Sequence, residues 1–356
     1  MAIVADKAKV AVPGVMSARI YSIDTFRLIS IFFVICHHVS AFKYSYEVFY
    51  PNTAITLLYY FFANVRFLPF FFIAAGYFFR KGVLKGEPLM VRLRKYCARL
   101  ARLFILWSVF YAFFTGVPEK GHANAFQIFY LNTMRLVNHP IDFLTTGTIE
   151  NFWFFPALIM GLILVASLSR LGKEKYIIPA GVALYLIALL GKPYSVLPFG
   201  YHAEFDMTHG PFVSTLFVGV GWLLADGKRK YRLRTALWFV GAGIILQLAE
   251  IVYLYTQYSV VPKHNYMLGT VLFNIGIFTC ALARPDFGKH TVFPRWGYLT
   301  LGVYCIHSFF ASYFGMLWRL LHPLAFDILQ PIVVYLLSIW ATLVLQRNRW
   351  TRILVT

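Results

Sequence analysis

Apolar residues in this chain run in long unbroken blocks, without the strict alternation of a half-buried strand or the recurring polar face of a soluble helix. A window of about 19 residues finds ten blocks long enough to cross a hydrocarbon core about 30 Å thick. They lie at 25–43, 54–79, 103–117, 152–168, 177–191, 211–226, 235–254, 267–284, 297–318 and 327–346. The pattern predicts an all-α polytopic membrane bundle of about ten transmembrane helices. It divides the chain into a short tail at 1–22, a transmembrane domain at 23–346 and a second tail at 347–356. The blocks at 103–117 and 177–191 are short, so nine or eleven crossings also fit the pattern.

Charge sets the direction of these crossings. One alternating set of loops, residues 1–23, 80–102, 169–176, 226–234, 284–296 and 347–356, holds 25 of the 33 Lys and Arg. The opposite set holds six: Lys43, Lys120, Arg135, Lys192, Lys263 and Arg319. Basic loops stay in the cytosol, so both termini are predicted to be cytoplasmic. The net charge of +19 is thereby read as an orientation device facing membrane lipids, and nucleic acid is set aside as a partner. With 60% apolar and only 13% charged residues, the composition excludes a water-soluble domain and a disordered tail. Residues 1–18 lack a continuous apolar stretch, so no cleaved signal peptide is expected and the first block should remain as an anchor. Cys36, Cys280 and Cys305 fall in apolar blocks and Cys97 in a basic, cytosol-facing segment, which predicts neither a disulfide nor a zinc site. The outward connection 118–151 contains an amphipathic stretch, Phe126–Leu136, expected to lie along the interface or dip toward the bundle.

Ionisable groups inside a bilayer cost at least about 2.5 kcal/mol each, so those that persist are functional candidates. Asp24, Arg27, His37, His38, Arg66, Glu250 and His307 form this set. Arg27 and His38 are eleven residues apart, which brings them to one helix face, separated by roughly 16 Å along the axis. Asp24 joins that face three residues before Arg27. The residues alone leave two readings open: an Asp24–Arg27 pair that merely anchors the helix with His38 bonded to a neighbour, or a reactive site.

Several stretches resemble a known family. Ile23-Asp24-Thr25-Phe26-Arg27, then ten residues and His38, is similar to the first helix of the acyltransferase 3 family, integral-membrane enzymes that acylate sugars. Leu68–Tyr77 resembles the family's aromatic second helix, Arg99-Leu100-Ala101-Arg102 its RxxR element, Phe152–Leu158 its Trp-aromatic stretch and Leu301–His307 a late element ending in histidine. Two positions depart from the pattern: Ala75 where serine is common, and Asn151 where histidine is frequent. The resemblance covers residues 22 to about 345.

The resemblance implies transfer of an acyl group, most often acetyl from cytoplasmic acetyl-CoA, to a hydroxyl of a cell-surface or lipid-linked glycan on the outer side of a bacterial cytoplasmic membrane. No permanently bound cofactor is expected. A sugar hydroxyl needs a general base, and His38, neutral in a buried setting, is the candidate, with Arg27 and Glu250 beside it. The matched RxxR offers Arg99 and Arg102 on one helix face to the phosphates of acyl-CoA, with Arg27 between them and His38. Trp153, Tyr201 and Glu204 are acceptor-binding candidates, since aromatic faces and polar groups bind sugars. Asp24, Arg66 and His307 are held as structural or unassigned. His202, Glu204, Asp206 and His209 match no metal motif, so a solvated loop is expected there. Two other classes are carried beside the enzyme: a proton-coupled secondary transporter or glycan flippase, and a sugar-binding module without turnover.

Overall fold

The computed structural model describes residues 19–114, 124–227 and 230–355. Lys7, Lys9, Lys120, Lys228 and Arg229, all counted in the loop charges, lie outside the described residues. Within them the chain is helical or irregular, with no strand. The helices, in chain order, are α1 (Tyr21–His38), α2 (Lys43–Phe49), α3 (Thr53–Asn64), α4 (Leu68–Leu84), α5 (Leu89–Ala112), α6 (Ala125–Asn138), α7 (Pro140–Thr146), α8 (Phe154–Arg170), α9 (Ile177–Gly191), α10 (Pro211–Leu224), α11 (Leu233–Tyr258), α12 (Leu268–Ala283), α13 (Phe293–Trp296), α14 (Thr300–Gly315) and α15 (Pro323–Arg347).

Each of the ten apolar blocks contains at least one helix, but not all reach across a bilayer on their own. Five stretches are long and apolar enough, Thr53–Leu84, Glu150–Arg170, Glu174–Gly191, Leu233–Tyr258 and Pro323–Arg347, and α1 with α2 makes a sixth, bent by 42°. The 14 residues of α10 rise only about 21 Å at 1.5 Å per residue. That helix is instead enclosed by protein. Ten consecutive residues from Val213 to Trp222 are buried, against α4, α8 and α9. Its packing needs glycine: a Cβ on Gly76 of α4 would overlap the Val218 carbonyl, and one on Gly221 would overlap that of Ile73.

One predicted span is broken. The block at 54–79 is not one helix, because the chain leaves α3 at Asn64 and enters α4 at Leu68, with Pro69 in the first turn. Carbonyls freed inside a membrane protein must find donors. Gln247 Nε2 of α11 donates to Asn64 O at 2.7 Å, and Asn274 Nδ2 of α12 donates to Arg66 O at 2.9 Å. The Asn64 side chain in turn donates to Pro262 O and accepts from His264 N, at 2.8 and 2.9 Å. The break is therefore built into the interior by polar side chains on two other helices.

The loops gather at two ends. At the first, Ser22 N donates to Pro285 O and Arg80 pairs with Glu174 at 3.0 Å and Asp226 at 3.4 Å, so that one contact set links two basic loops and another links three. At the second, Ser45 N donates to Asp327 Oδ2, and Lys192 pairs with Asp206. The amphipathic stretch forms α6, opened by an Asn124–Gln127 capping box; only Ile128 and Asn132 are buried, and Phe126, Tyr130 and Val137 are exposed. This is the profile of a helix lying on an apolar surface.

Candidate active site

Helix α1 is held inside the bundle against α4, α12, α14 and α15, and its two conspicuous residues open onto different cavities. Arg27 lines a cavity of about 270 Å³ with Ala75, Phe78, Arg99, Phe154 and Tyr304. His38 lines a second, of about 290 Å³, with His37, Arg66, Asn151, Trp153 and Lys263. Leu68, the first residue after the helix break, belongs to both walls. His38 also borders a wider recess with Tyr44, Trp318 and Arg319.

The protonation of His38 follows from its partners. His307 Nδ1 lies 2.6 Å from the Tyr304 carbonyl, which can only accept, so that nitrogen carries the proton. In a neutral ring, Nε2 of His307 is then an acceptor, and His38 Nδ1, 2.7 Å away, donates to it. His38 Nε2 is left as an unprotonated lone pair with no hydrogen-bond partner among the described residues. Ser308 Oγ, 3.3 Å from His307 Nε2, accepts from Asn151 Nδ2 at 2.9 Å. The Asn151 carbonyl accepts from Tyr304 Oη. A backbone carbonyl thus orients one histidine, which orients the next, and the outermost nitrogen is free to take a proton.

Arg27 is shaped for a different task. Asp24 Oδ1 accepts from it at 3.2 Å, Arg19 holds the other carboxylate oxygen at 2.9 Å, and the guanidinium lies 4.8 Å from the Phe78 ring centroid. Its side chain remains one-quarter exposed. Arg99 reaches the same cavity from α5, with Arg102 one turn further on. Ala75, the departure from serine, is on this wall too.

The remaining candidates separate. Trp153 is on the wall of the His38 cavity, stacked on His209 with centroids 6.0 Å apart and edge-on to Tyr266 at 6.1 Å. Tyr201 and Glu204 are exposed in the 192–210 loop and are not among the lining residues of that cavity; Tyr201 Oη donates to Ile187 O at 3.0 Å. Glu250 is also elsewhere. Its carboxylate accepts from Tyr194 Oη and from the backbone N–H groups of Leu268 and Gly269, both at 3.0 Å, where it supplies acceptors to the first turn of α12. It caps a helix, and lines neither cavity.

Arg66, unassigned from the sequence, sits in the helix break, 5% exposed, and donates to His37 Nδ1 and the Asn265 and His264 carbonyls. The sequence also gave no hint that Glu150, Asp206 and His209 meet, with ligand atoms within 4.8 Å of one another. Asp206 is already engaged. Burial alone would raise its carboxyl, yet hydrogen bonds from Lys192 and Thr208 outweigh that and hold it below the usual aspartate value. The most informative contact that sequence reasoning missed is His307 on His38. The one available signal was that His307 ends a matched motif.

These features define a polytopic helical membrane protein with a paired-histidine centre, one member of which lines a cavity next to the arginine-lined one. The chain belongs to the acyltransferase 3 family, whose model, described as an acyltransferase domain, matches residues 20–346. It is 28% identical over 349 residues to a serine/alanine racemase of Enterococcus gallinarum, covering 93% of this chain and 47% of that protein. It is also 28% identical over 178 residues to an amino-acid racemase of Enterococcus faecalis, covering 49% of this chain and 23% of that protein. The chain therefore spans about half the length, or less, of the curated relatives it matches. No solved structure matches it.

Proposed function

We propose that this protein is a membrane O-acyltransferase that moves an acyl group, with acetyl the leading candidate, from cytoplasmic acyl-CoA to a hydroxyl of a cell-surface or lipid-linked glycan. In this reading ten crossings leave both termini in the cytosol of a bacterial inner membrane. The basic end faces acyl-CoA, whose phosphates meet Arg99, Arg102 and Arg27, and the His38 cavity receives the acceptor from outside. The observation that carries the reading is the free Nε2 of His38, oriented through His307 and carried by a residue on the wall of a cavity that shares Leu68 with the Arg27 cavity.

His38 Nε2 takes the hydroxyl proton as the oxygen attacks the thioester carbonyl. The C–S bond then breaks, and the CoA thiolate recovers the proton from His38, so no covalent enzyme intermediate is required. Trp153 offers a face for a sugar ring. Labelled acetyl transfer from acetyl-CoA to surface glycan, measured in membranes, tests the proposal. His38→Ala should lose at least about 100-fold, the ordinary contribution of a general base, and Arg27→Ala should raise the KM for the donor. Full transfer in both variants sinks the proposal.

A second reading rests on the cavities: two that adjoin at Leu68 also suit a proton-coupled secondary transporter or a glycan flippase. Substrate-driven proton flux without consumption of acyl-CoA distinguishes it.

A further inference from the structure

Positive charge is disfavoured in the loops that face outward under the charge rule, yet Lys263 is one of the six Lys and Arg they retain. In the fold it converges with Arg66 on the wall of the His38 cavity. Among the described residues Arg66 makes four hydrogen bonds, all to neutral acceptors: His37 Nδ1, Asn265 O, Asn265 Oδ1 and His264 O. A guanidinium has five N–H groups, so one on Nη1 remains. Among the described residues, neither Arg66 nor Lys263 forms an ion pair with a carboxylate. Glu150 reaches the same wall, but its carboxylate gathers with Asp206 and His209. Burial, then the nearby Arg66 and Lys43, pushes the Lys263 ammonium below its usual value. Two cations that repel each other beside a catalytic base are a cost to the empty protein, and an anion in the cavity relieves it.

We propose that the His38 cavity binds an acceptor carrying a carboxylate near its reactive hydroxyl, with the carboxylate held between Lys263 Nζ and Arg66 Nη1. The hydroxyl's role rests on the acyl-transfer reading; the anion site does not. A carboxylate can set one oxygen against the Lys263 ammonium and the other against the remaining Arg66 Nη1–H, pairing both of its oxygens with charged donors.

The test is equilibrium binding to the full chain in nanodiscs, without acyl donor, of D-glucuronate, D-glucose and D-glucose 6-phosphate. Glucuronate should bind about tenfold or more tightly than glucose, and more tightly than the phosphate ester. Lys263→Gln should erase the preference and Lys263→Arg should keep most of it. Equal binding of glucuronate and glucose, no binding of either, preference for the phosphate, or a preference that survives Lys263→Gln each overturns the site. Adding acetyl-CoA separates the two ideas. Glucuronate that binds in this way but is never acetylated defeats the transfer reading alone, and acetylation of glucose as readily as glucuronate defeats the anion site alone.

Discussion

His307 is the residue whose importance the fold changes most. Along the chain it stands 269 positions from His38, and no helical periodicity reports which of the other helices packs against α1. Arg27 and His38 were legible because eleven residues is a fixed rotation on one helix; the His38–His307 bond is a tertiary fact. His307 fixes the tautomer and the direction of the His38 lone pair, so under the proposed transfer it is a positioning residue that does not touch substrate. His307→Ala should therefore lower kcat for transfer by about 10–100-fold, the scale of misplacing a catalytic group by about 1 Å, with the KM for acetyl-CoA little changed. His307→Gln, which can still accept from His38, should recover part of the loss. If His307→Ala instead matched wild type in kcat, the ring pair would be packing only.

At the scale of elements, the α3–α4 break was hidden by averaging. Val65, Phe67 and the aromatic run after them keep the hydropathy of 54–79 high across a window, so one charged Arg66 does not register as an end. The polar residues that compensate the break, Gln247 and Asn274, lie some 180 and more positions away. Asn274→Leu removes the donor to Arg66 O and leaves a buried carbonyl unpaired, which costs about 1–3 kcal/mol. A lowered thermal midpoint in detergent, together with weakened transfer as Arg66 shifts, is the expected result. The partners of Glu250 were hidden for a related reason: depth along a helix says that a carboxylate needs partners, but does not say which. Because its partners are Tyr194 and the first turn of α12, Glu250→Gln keeps an acceptor there and should leave kcat within about twofold of wild type. Glu250→Leu should destabilise the protein by about 0.5–2 kcal/mol, as the loss of a helix cap does, measured as a fall in unfolding temperature. A loss of kcat in Glu250→Gln with stability intact would return this carboxylate to the reaction.

For the whole molecule, the alternation of basic and neutral loops was legible because it is a property of composition. The fold adds that contacts join five of the six basic loops in two groups, one through Ser22 with Pro285 and one through Arg80 with Glu174 and Asp226. What hydropathy could not supply is which helices meet lipid: α10 reads as a span, yet its residues from Val213 to Trp222 are buried by protein. Direction across the membrane decides the proposed chemistry: under it, the Arg27–Arg99 cavity must open to the cytosol to take acyl-CoA. Two exposed positions report it, Lys173 in a basic loop and His202 in the opposite set. In a background with the native cysteines replaced by serine, a membrane-impermeant maleimide added to intact cells should label the His202→Cys variant. The Lys173→Cys variant should react only after permeabilisation. Labelling of Lys173→Cys from outside would invert the bundle, place the arginine-lined cavity away from the acyl donor, and leave His38 on the wrong side of its substrate.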